Sequence, residues 1–391
     1  MRILYLSDSY RPSRSACANR AAVFVEALRD VGHDVQVLAS SDSLLAAPSD
    51  YEKPECVTFF KTFPLEKKTL INRLRNNFGG GLESVRVADS MGDFDVVVCT
   101  TPPLLLTSSA VKIAKRKRAK LVLDVRDIWP DVAYEMGSFA PGSLYGRFFE
   151  RLARKAYRAA DLVVTVSPGK TSKLGRRVPG GHVELIPNGI DEEFLQNTED
   201  PCVVAQFRLD EGPICSYVGN IGLAQDLGTL LDIAKERDGV RFLLFGKGAD
   251  KEKLKTRAEE EGIANVEFCG TIDARGAFTV LRNSSLSYVP LVSSRLRDSI
   301  PTKIYESLAC GCPVLLAAEG DAADLLDESG LGAHAAPEDA DALLAAFDHI
   351  LGSSYSSKDR AAVARWVVEN HSRQKFAKRF TEMIFDLSES I

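Results

Sequence analysis

No C-x-x-C pair occurs among the eight cysteines, so the common zinc and dithiol redox motifs are absent. Cys310 and Cys312, the nearest pair, flank a glycine and are poorly spaced for a metal. Cys99, Cys215 and Cys269 sit in or beside apolar, strand-like runs. This usage fits buried free thiols in a reducing cytoplasm. Histidine is scarce. His33, His182, His334, His349 and His371 are scattered, and none stands in an acid–base or metal-binding constellation. Without a G-x-S-x-G elbow there is no α/β-hydrolase nucleophile. The first strand is not followed by G-x-G-x-x-G, and no P-loop occurs, so neither a dinucleotide fingerprint nor that route to ATP hydrolysis is supported. No apolar run reaches the ~18 residues that a membrane span needs. The opening Met1–Asp8 meets an acid too early for a secretory leader and reads as a first buried strand.

Apolar residues make up 45% and charged residues 26% of the 391 residues, as in an ordinary soluble protein. The length implies two domains, each with a sizeable core. Charge is unevenly spread. Residues 1–195 hold 28 Lys and Arg against 23 Asp and Glu, while the remainder holds 21 against 31. A basic first half points to an anionic surface or ligand, unless the asymmetry is merely solvated. An isoelectric point near 5.7, with no basic-aromatic face, argues against nucleic acid.

Strand, turn and helix alternate along both halves, which calls for parallel sheets. Strands are expected at residues 3–7, 35–39, 55–63, 96–99, 121–125, 162–166 and 182–187. A loop over residues 8–19 leads into a helix at 20–31. Pro64–Phe78 is basic and apolar together and is expected to end as a helix at Gly79–Gly81. It either packs into the domain or lies in a membrane interface. The chain turns polar and acidic up to about Gly212, which marks a domain boundary. Strands then recur at 213–218, 240–245, 266–269, 286–290 and in the apolar run to Leu315, and helices over 339–351 and about 358–385 finish the chain.

Three stretches carry candidate chemistry. Asp298-Ser299-Ile300-Pro301-Thr302-Lys303-Ile304-Tyr305-Glu306 reads as a loop entering a helix. Pro301 suits its first position and Ser299 or Ile300 its cap. Free N–H groups beside Lys303 make an anion site, with Glu306 one turn behind Thr302. An ordinary capped helix with solvated charges would look the same. Asp124-Val125-Arg126-Asp127-Ile128-Trp129-Pro130-Asp131 closes a strand, and ligands bind at such ends in open α/β sheets. The structural alternative pairs Arg126 with Asp124 or Asp131 and packs Trp129 beneath. Glycine turns at Gly219/Gly222 and Gly246/Gly248 let backbone approach a ligand closely.

With these pieces in this order, the chain resembles the retaining nucleotide-sugar glycosyltransferases of the GT-B fold, family four. The likeness covers nearly the whole chain. It rests on Gly32-His33-Asp34-Val35, Pro187-Asn188-Gly189-Ile190-Asp191, Gly219-Asn220-Ile221-Gly222, Phe245-Gly246-Lys247-Gly248, and the acidic-x7-Glu element followed by Ala309-Cys310-Gly311-Cys312-Pro313-Val314. Val125–Pro130 and Ser299–Lys303 look like the branch serving bacterial surface polysaccharides, which includes N-acetylfucosamine-type amino-sugar transferases adding to O-antigen lipid intermediates.

The resemblance implies an α/β chain of two Rossmann-like domains facing each other across a cleft. Residues 1–195 would bind acceptor and residues 196–370 the nucleotide sugar, and the helix of residues 371–391 would return to the first domain. It implies a UDP-sugar donor held by Gly219, Asn220, Gly222, Gly246, Lys247, Gly248, Thr271, Asp298, Pro301, Thr302, Lys303 and Glu306. Ser15, Asn19, Arg20, Arg126, Asp127 and Trp129 would meet the acceptor. Lys303, Asp127, Asp298 and Glu306 would carry catalysis without metal or other cofactor. The expected acceptor is a polyprenyl-diphosphate-linked saccharide, reached from the cytoplasm by a peripheral protein whose basic first domain docks on an anionic membrane. A soluble acceptor, or a non-catalytic UDP-sugar-binding subunit, is the alternative. The sequence departs from the family at Asp298, where glutamate is usual, and at Asn220 and Gln225, where Arg and Lys often grip the diphosphate. Lys303, with Arg297 or Lys247, would then supply that charge. A family histidine is also often found where Arg126-Asp127 stand.

Overall fold

The computed structural model describes residues 1–62, 70–223 and 225–389, without the side chains of residues 46, 70–77, 388 and 389. The chain divides into two compact units, Met1–Asn188 with Arg373–Ile391, and Gly189–Ser372. Each is built on a parallel sheet, the two-domain α/β class expected from the alternation.

In the first unit, β1 (Arg2–Ser7), β2 (Asp34–Ser40), β3 (Val57–Phe60), β4 (Val96–Thr101), β5 (Lys120–Val125), β6 (Leu162–Thr165) and β7 (Val183–Leu185) lie in the order β3-β2-β1-β4-β5-β6-β7. Helices α1 (Ala16–Asp30), α2 (Leu70–Ser90), α3 (Leu104–Lys117), α4 (Asp131–Glu135), α5 (Leu144–Ala159) and α6 (Pro168–Arg177) connect them. Helices cover both faces of such a sheet, so its strands read as unbroken apolar runs. Leu4, Leu6, Val97 and Leu123 face a core shared with α3 and α5, whereas Ile3, Tyr5, Val96 and Val98 face one shared with α1.

Two local expectations change here. The helix expected from Arg20 begins at Ala16, because Ser15 caps it by accepting the Ala18 N–H at 3.2 Å. The glycines at 79–81 do not end a helix, since α2 runs on to Ser90. They thin it instead. A Cβ on Gly80 would come within 3.1 Å of Thr62, and one on Gly81 within 3.0 Å of the Ser109 hydroxyl, which donates to the Gly81 carbonyl at 2.7 Å. The glycines stay in the helix because β3 and α3 press against it.

In the second unit, β8 (Ile214–Val218), β9 (Arg241–Phe245), β10 (Val266–Gly270), β11 (Leu286–Pro290), β12 (Val314–Ala317) and β13 (Gly332–Ala335) take the order β10-β9-β8-β11-β12-β13. Its helices are α7 (Glu192–Leu195), α8 (Pro201–Phe207), α9 (Gly228–Glu236), α10 (Lys251–Glu260), α11 (Ala274–Asn283), α12 (Thr302–Ala309), α13 (Asp321–Ser329), α14 (Ala340–Gly352) and α15 (Ser357–His371). Strand order reverses at β1/β4 in the first unit and at β8/β11 in the second, and open α/β sheets bind ligands at such reversals.

The final helical stretch is broken where continuity was expected. Ser372 adopts an extended conformation (φ −68°, ψ 127°) and bridges to Ile190, so the chain restarts as α16 (Arg373–Glu389). This helix lies on α1, with the Phe380 and Phe24 rings stacked at 4.7 Å. Removing a buried ring of this kind costs about 3–5 kcal/mol. The Arg373 guanidinium fixes the helix start by donating to the Asn188 carbonyl at 3.0 Å.

Candidate active site

At the strand-order reversal of the second unit, the loop after β8 meets the start of α12. Helix α12 sits here because Ile304, Tyr305 and Leu308 fall on one face and enter the core. Thr302, Lys303 and Glu306 are left at intermediate exposure. Pro301 is the N-cap, not the first helical residue, and no side chain caps the helix. Ser299 therefore does not play the capping part expected of it. Ile304 N–H turns back to the Pro301 carbonyl at 3.2 Å. An N-terminus with no side-chain cap keeps backbone donors and the positive end of the dipole for an anion.

Lys303 lies over the ring of Tyr217, its Nζ 4.1 Å from the centroid, and donates to the Tyr217 hydroxyl at 2.7 Å. That hydroxyl in turn donates to the Asn220 carbonyl. Burial lowers the Lys303 pKa to about 8, against the opposing pull of the Glu306 carboxylate. Gly219 makes the arrangement possible. It has φ +149°, and a Cβ there would stand 2.3 Å from Lys303 Cε and 2.6 Å from Nζ. Any other residue would be strained and would push the ammonium away. Tyr217 was not singled out in the sequence, where it is one apolar residue of a strand.

The other glycines let backbone lie against backbone. A Cβ on Gly246 (φ +153°) would lie 1.8 Å from the Gly219 carbonyl oxygen, and one on Gly248 2.0 Å from that of Ile221. Their openness lets the loops after β8 and β9 approach each other, joined by Gly219 N–H to the Phe245 carbonyl and Ile221 N–H to the Lys247 carbonyl, both 2.9 Å. At Gly222 the nearest neighbour is the Asn220 amide, which donates to Gln225 at 3.2 Å. So Asn220 and Gln225 pair with each other. Lys247 and Thr271 are exposed. Asp298 is buried, 6% exposed. Arg297, a suggested helper of Lys303, is bonded to Glu319 at 2.7 Å.

At the carboxyl ends of the first sheet the polar groups are mostly spoken for. Arg20, expected among acceptor contacts, is 1% exposed. It grips Asp124 at 2.9 Å and donates to the carbonyls of Ile186 and Pro187. It is a brace between β5 and the end of β7, and that is a correction forced by its burial. Asp124 and Asp131 are not partners of Arg126 either, since Asp131 pairs with Arg177. Arg126 donates to the Pro102 carbonyl at 3.0 Å, while its Nε is buried with no hydrogen-bond partner. Asp127 keeps 39% of its side chain exposed and stands 3.8 Å from the buried Lys170 Nζ. Trp129 is half-buried and packs on Phe139 and Phe149. Ser15 and Asn19 lie at the start of α1, Ser15 exposed and Asn19 half-buried.

Two groups here escaped notice in the sequence. Asp8 directly follows β1 beside the strand-order reversal, and burial raises its pKa to about 6, against the pull of Arg126 and helped by Asp42. Lys170 steadies Asp127. A strand-end position was the available signal for Asp8. Lys170 offered only a place in the first turn of a helix. Among the described residues, no group of three or more His, Cys, Asp and Glu could hold a metal ion.

Residues 204–365 match the family described as Glycosyl transferases group 1, and residues 15–189 the Glycosyl transferase 4-like domain. The chain is a glycosyltransferase of GT-B fold built from these two domains. Among known proteins it is 25% identical to WbjE of Pseudomonas aeruginosa, named as a probable glycosyltransferase, over 83% of each chain. It is 23% identical to WcaI of Escherichia coli (strain K12), over 82% of this chain and 84% of the other. The name of WcaI assigns it provisionally to colanic acid biosynthesis as a glycosyl transferase. Among solved structures, sucrose-phosphate synthase from Thermosynechococcus elongatus superposes with a TM-score of 0.81 at 17% identity, covering all of both chains. HepE from Anabaena in complex with UDP gives 0.73 at 16%, covering 99% of this chain and 100% of the other. At these identities the structural likeness establishes the fold alone.

Proposed function

We propose that this glycosyltransferase moves a sugar, of the N-acetylamino class, from a UDP-sugar to a polyprenyl-diphosphate-linked saccharide. The reaction retains anomeric configuration and contributes to a surface polysaccharide, carried out in the cytoplasm at the inner face of the cell membrane. The observation that carries the donor half is the half-buried Lys303 ammonium, lodged over Gly219 at the N-terminus of α12. The UDP complexes of HepE and the name of WcaI support the nucleotide and the polysaccharide.

The leaving diphosphate lies against the first turn of α12, where Thr302, Lys303 and the helix dipole stabilise the charge that grows as its bond to the sugar breaks. Glu306, one turn on, accepts hydrogen bonds from the ribose hydroxyls. The loops at Gly219–Gly222 and Gly246–Gly248 present backbone to the nucleotide, and Thr271 flanks the base. Asp298 takes a hydroxyl or the acetamido group of the sugar. Its arm is one carbon shorter than the glutamate usual there, which makes it the residue that sets sugar preference. Asp127, held by Lys170, orients the acceptor hydroxyl. That oxygen attacks the anomeric carbon from the face the diphosphate leaves, and its proton passes to the departing diphosphate oxygen. The scheme needs no protein nucleophile and no metal.

A hydrolysis screen of UDP-N-acetylamino sugars, with GDP-sugars in parallel, tests the reading. Lys303→Ala and Glu306→Ala are each expected to cut turnover of the accepted donor by about two or more orders of magnitude, as loss of a transition-state contact does. Turnover near wild type in both variants would overturn the assignment of the donor site.

A further inference from the structure

Pro64–Phe78 is one expected place of membrane contact, the alternative being packing into the domain. Residues 64–69, with Lys67 and Lys68, lie outside the described residues, as do the side chains of Arg73 and Arg75. A different surface has the chemistry. Helix α5 buries Phe149, Ala153, Ala156 and Tyr157. Its opposite face carries Arg147, Arg151, Arg154, Lys155 and Arg158, all exposed, and none of the five makes an ion pair among the described residues. Four of them line an open recess of about 400 Å³. The acid of this helix, Glu150, turns inward to accept from the Tyr134 hydroxyl at 2.8 Å. The exposed face is therefore cationic without interruption.

At the N-terminal end of the same face, Leu144 is 84%, Tyr145 55% and Phe148 50% exposed. Isolated exposed apolar residues are normal, but three within one and a half turns, beside five unpaired cations, form a patch. The patch is also stiffly mounted. Phe148 packs on Phe149 at 5.3 Å, and Phe149 on Trp129 at 5.7 Å, so an aromatic row runs from the surface to the loop that carries Asp127. Since α5 belongs to the crossover from β5 to β6, its apolar end stands on the carboxyl side of β5, the side of Asp127.

We propose that the exposed face of α5 lies on an anionic lipid bilayer. Leu144, Tyr145 and Phe148 enter the boundary between headgroups and acyl chains, and the five cations pair with lipid phosphates. Aromatic and aliphatic side chains next to a basic stripe suit this interface, where each half of the patch meets its own layer. An acidic protein would satisfy the cations and leave the apolar end in water. The proposal deepens the reading of a lipid-linked acceptor, because it sets Asp127 on the membrane side of the fold. It needs no donor to be tested.

The full chain is floated with phosphatidylcholine vesicles, and with vesicles in which a quarter of the lipid is phosphatidylglycerol. Binding is expected for the anionic vesicles, weakening at least tenfold without phosphatidylglycerol and again in high salt. Replacing Arg151, Arg154, Lys155 and Arg158 together by Ala should lower partitioning by about three orders of magnitude, at roughly 1 kcal/mol per basic residue near such a surface. Leu144→Ser, Tyr145→Ser and Phe148→Ser together should weaken it at least tenfold. Replacing Lys251, Lys253 and Lys255 of α10 by Ala should change nothing. An unchanged thermal unfolding transition in every variant shows that each is folded without reference to any donor, so failure of the membrane proposal is separate from failure of the donor assignment. Wild-type protein that ignores anionic vesicles, or α5 variants that bind as well as wild type, would overturn the proposal. So would concentration-dependent self-association that the α5 variants abolish, since a second copy would then cover this face.

Discussion

Arg20 and Asp124 fill the carboxyl side of the first sheet with a buried, bidentate ion pair, and Lys170–Asp127 and Arg177–Asp131 continue the row. The matching edge of the second sheet is built from bare backbone. Gly219, Gly246 and Gly248 lock two loops together, and the Lys303 ammonium lies over Gly219. The first arrangement uses charge to hold strands in place, and most of its donors and acceptors are already matched. The second puts glycine where side chains would stand and keeps an ammonium with a lowered pKa. Paired charges brace a fold, whereas a cation held by a tyrosine at an uncapped helix start is arranged for an anion. Strand-end position alone does not separate these two uses of charge.

The sharpest break in the comparison is Arg20→Ala. It leaves Asp124 buried and uncompensated and should destabilise the first unit by about 3–5 kcal/mol, read from the denaturant midpoint of that unit. Adding Asp124→Leu to Arg20→Met should recover much of the loss, since a well-packed apolar pair can replace a buried ion pair. No recovery would mean that the bonds to the carbonyls of Ile186 and Pro187 outweigh the charge pairing.

On the second sheet, Gly246→Ala forces a Cβ against the Gly219 carbonyl. An overpacking cost of about 1–3 kcal/mol is expected, with a rise in donor KM because the Gly219 loop must move. Unchanged melting and KM would show that the loops are looser than their hydrogen bonds imply.

The two edges should also answer differently to pH. Asp8 is raised to about 6 in the folded chain, above the unfolded carboxylate value of about 3.9. Its contribution to stability is therefore full below pH ~4 and lost as pH rises through about 6. Asp8→Asn should stabilise the protein by about 1–2 kcal/mol at pH 7, a rough figure discounted for its partial exposure, and by little at pH 4. Equal effects at both pH values would refute the buried-carboxylate account. Lys303 loses its charge as pH rises through about 8, so kcat/KM for the donor should fall above that pH.

The smallest expected effect belongs to Tyr217→Phe. The ring stays beneath the ammonium, while the hydroxyl's bonds to Lys303 and to the Asn220 carbonyl both disappear, the one that touches the cation at about 0.5–1.5 kcal/mol. Donor turnover should drop about three- to tenfold, with a shifted alkaline limb. A lost hydroxyl that moved neither would remove Tyr217 from the account.

Much of this molecule was legible in the chain. The apolar runs at Ile3–Leu6 and Val96–Cys99 are buried strands because parallel sheets covered on both faces need continuous hydrophobicity. The glycine turns and Lys303 were visible because a turn and a helix start are short-range events. Arg20 was misread because its partner lies 104 residues away, and no local pattern distinguishes a brace from a ligand contact. Tyr217 was passed over for the same reason, with Lys303 86 residues distant. The glycines at 79–81 were read as a stop because local propensity says so. What overrides it is the pressure of Phe60, Thr62 and Ser109, which the chain brings in from either side.

The sequence by itself determined the alternation of strand and helix, the two parallel sheets and the positions where turns must fall. These follow from periodicity and backbone sterics within a few residues. Which charges become braces is set by the tertiary structure. That choice depends on burial and on partners that come together when distant strands take their order in the sheet.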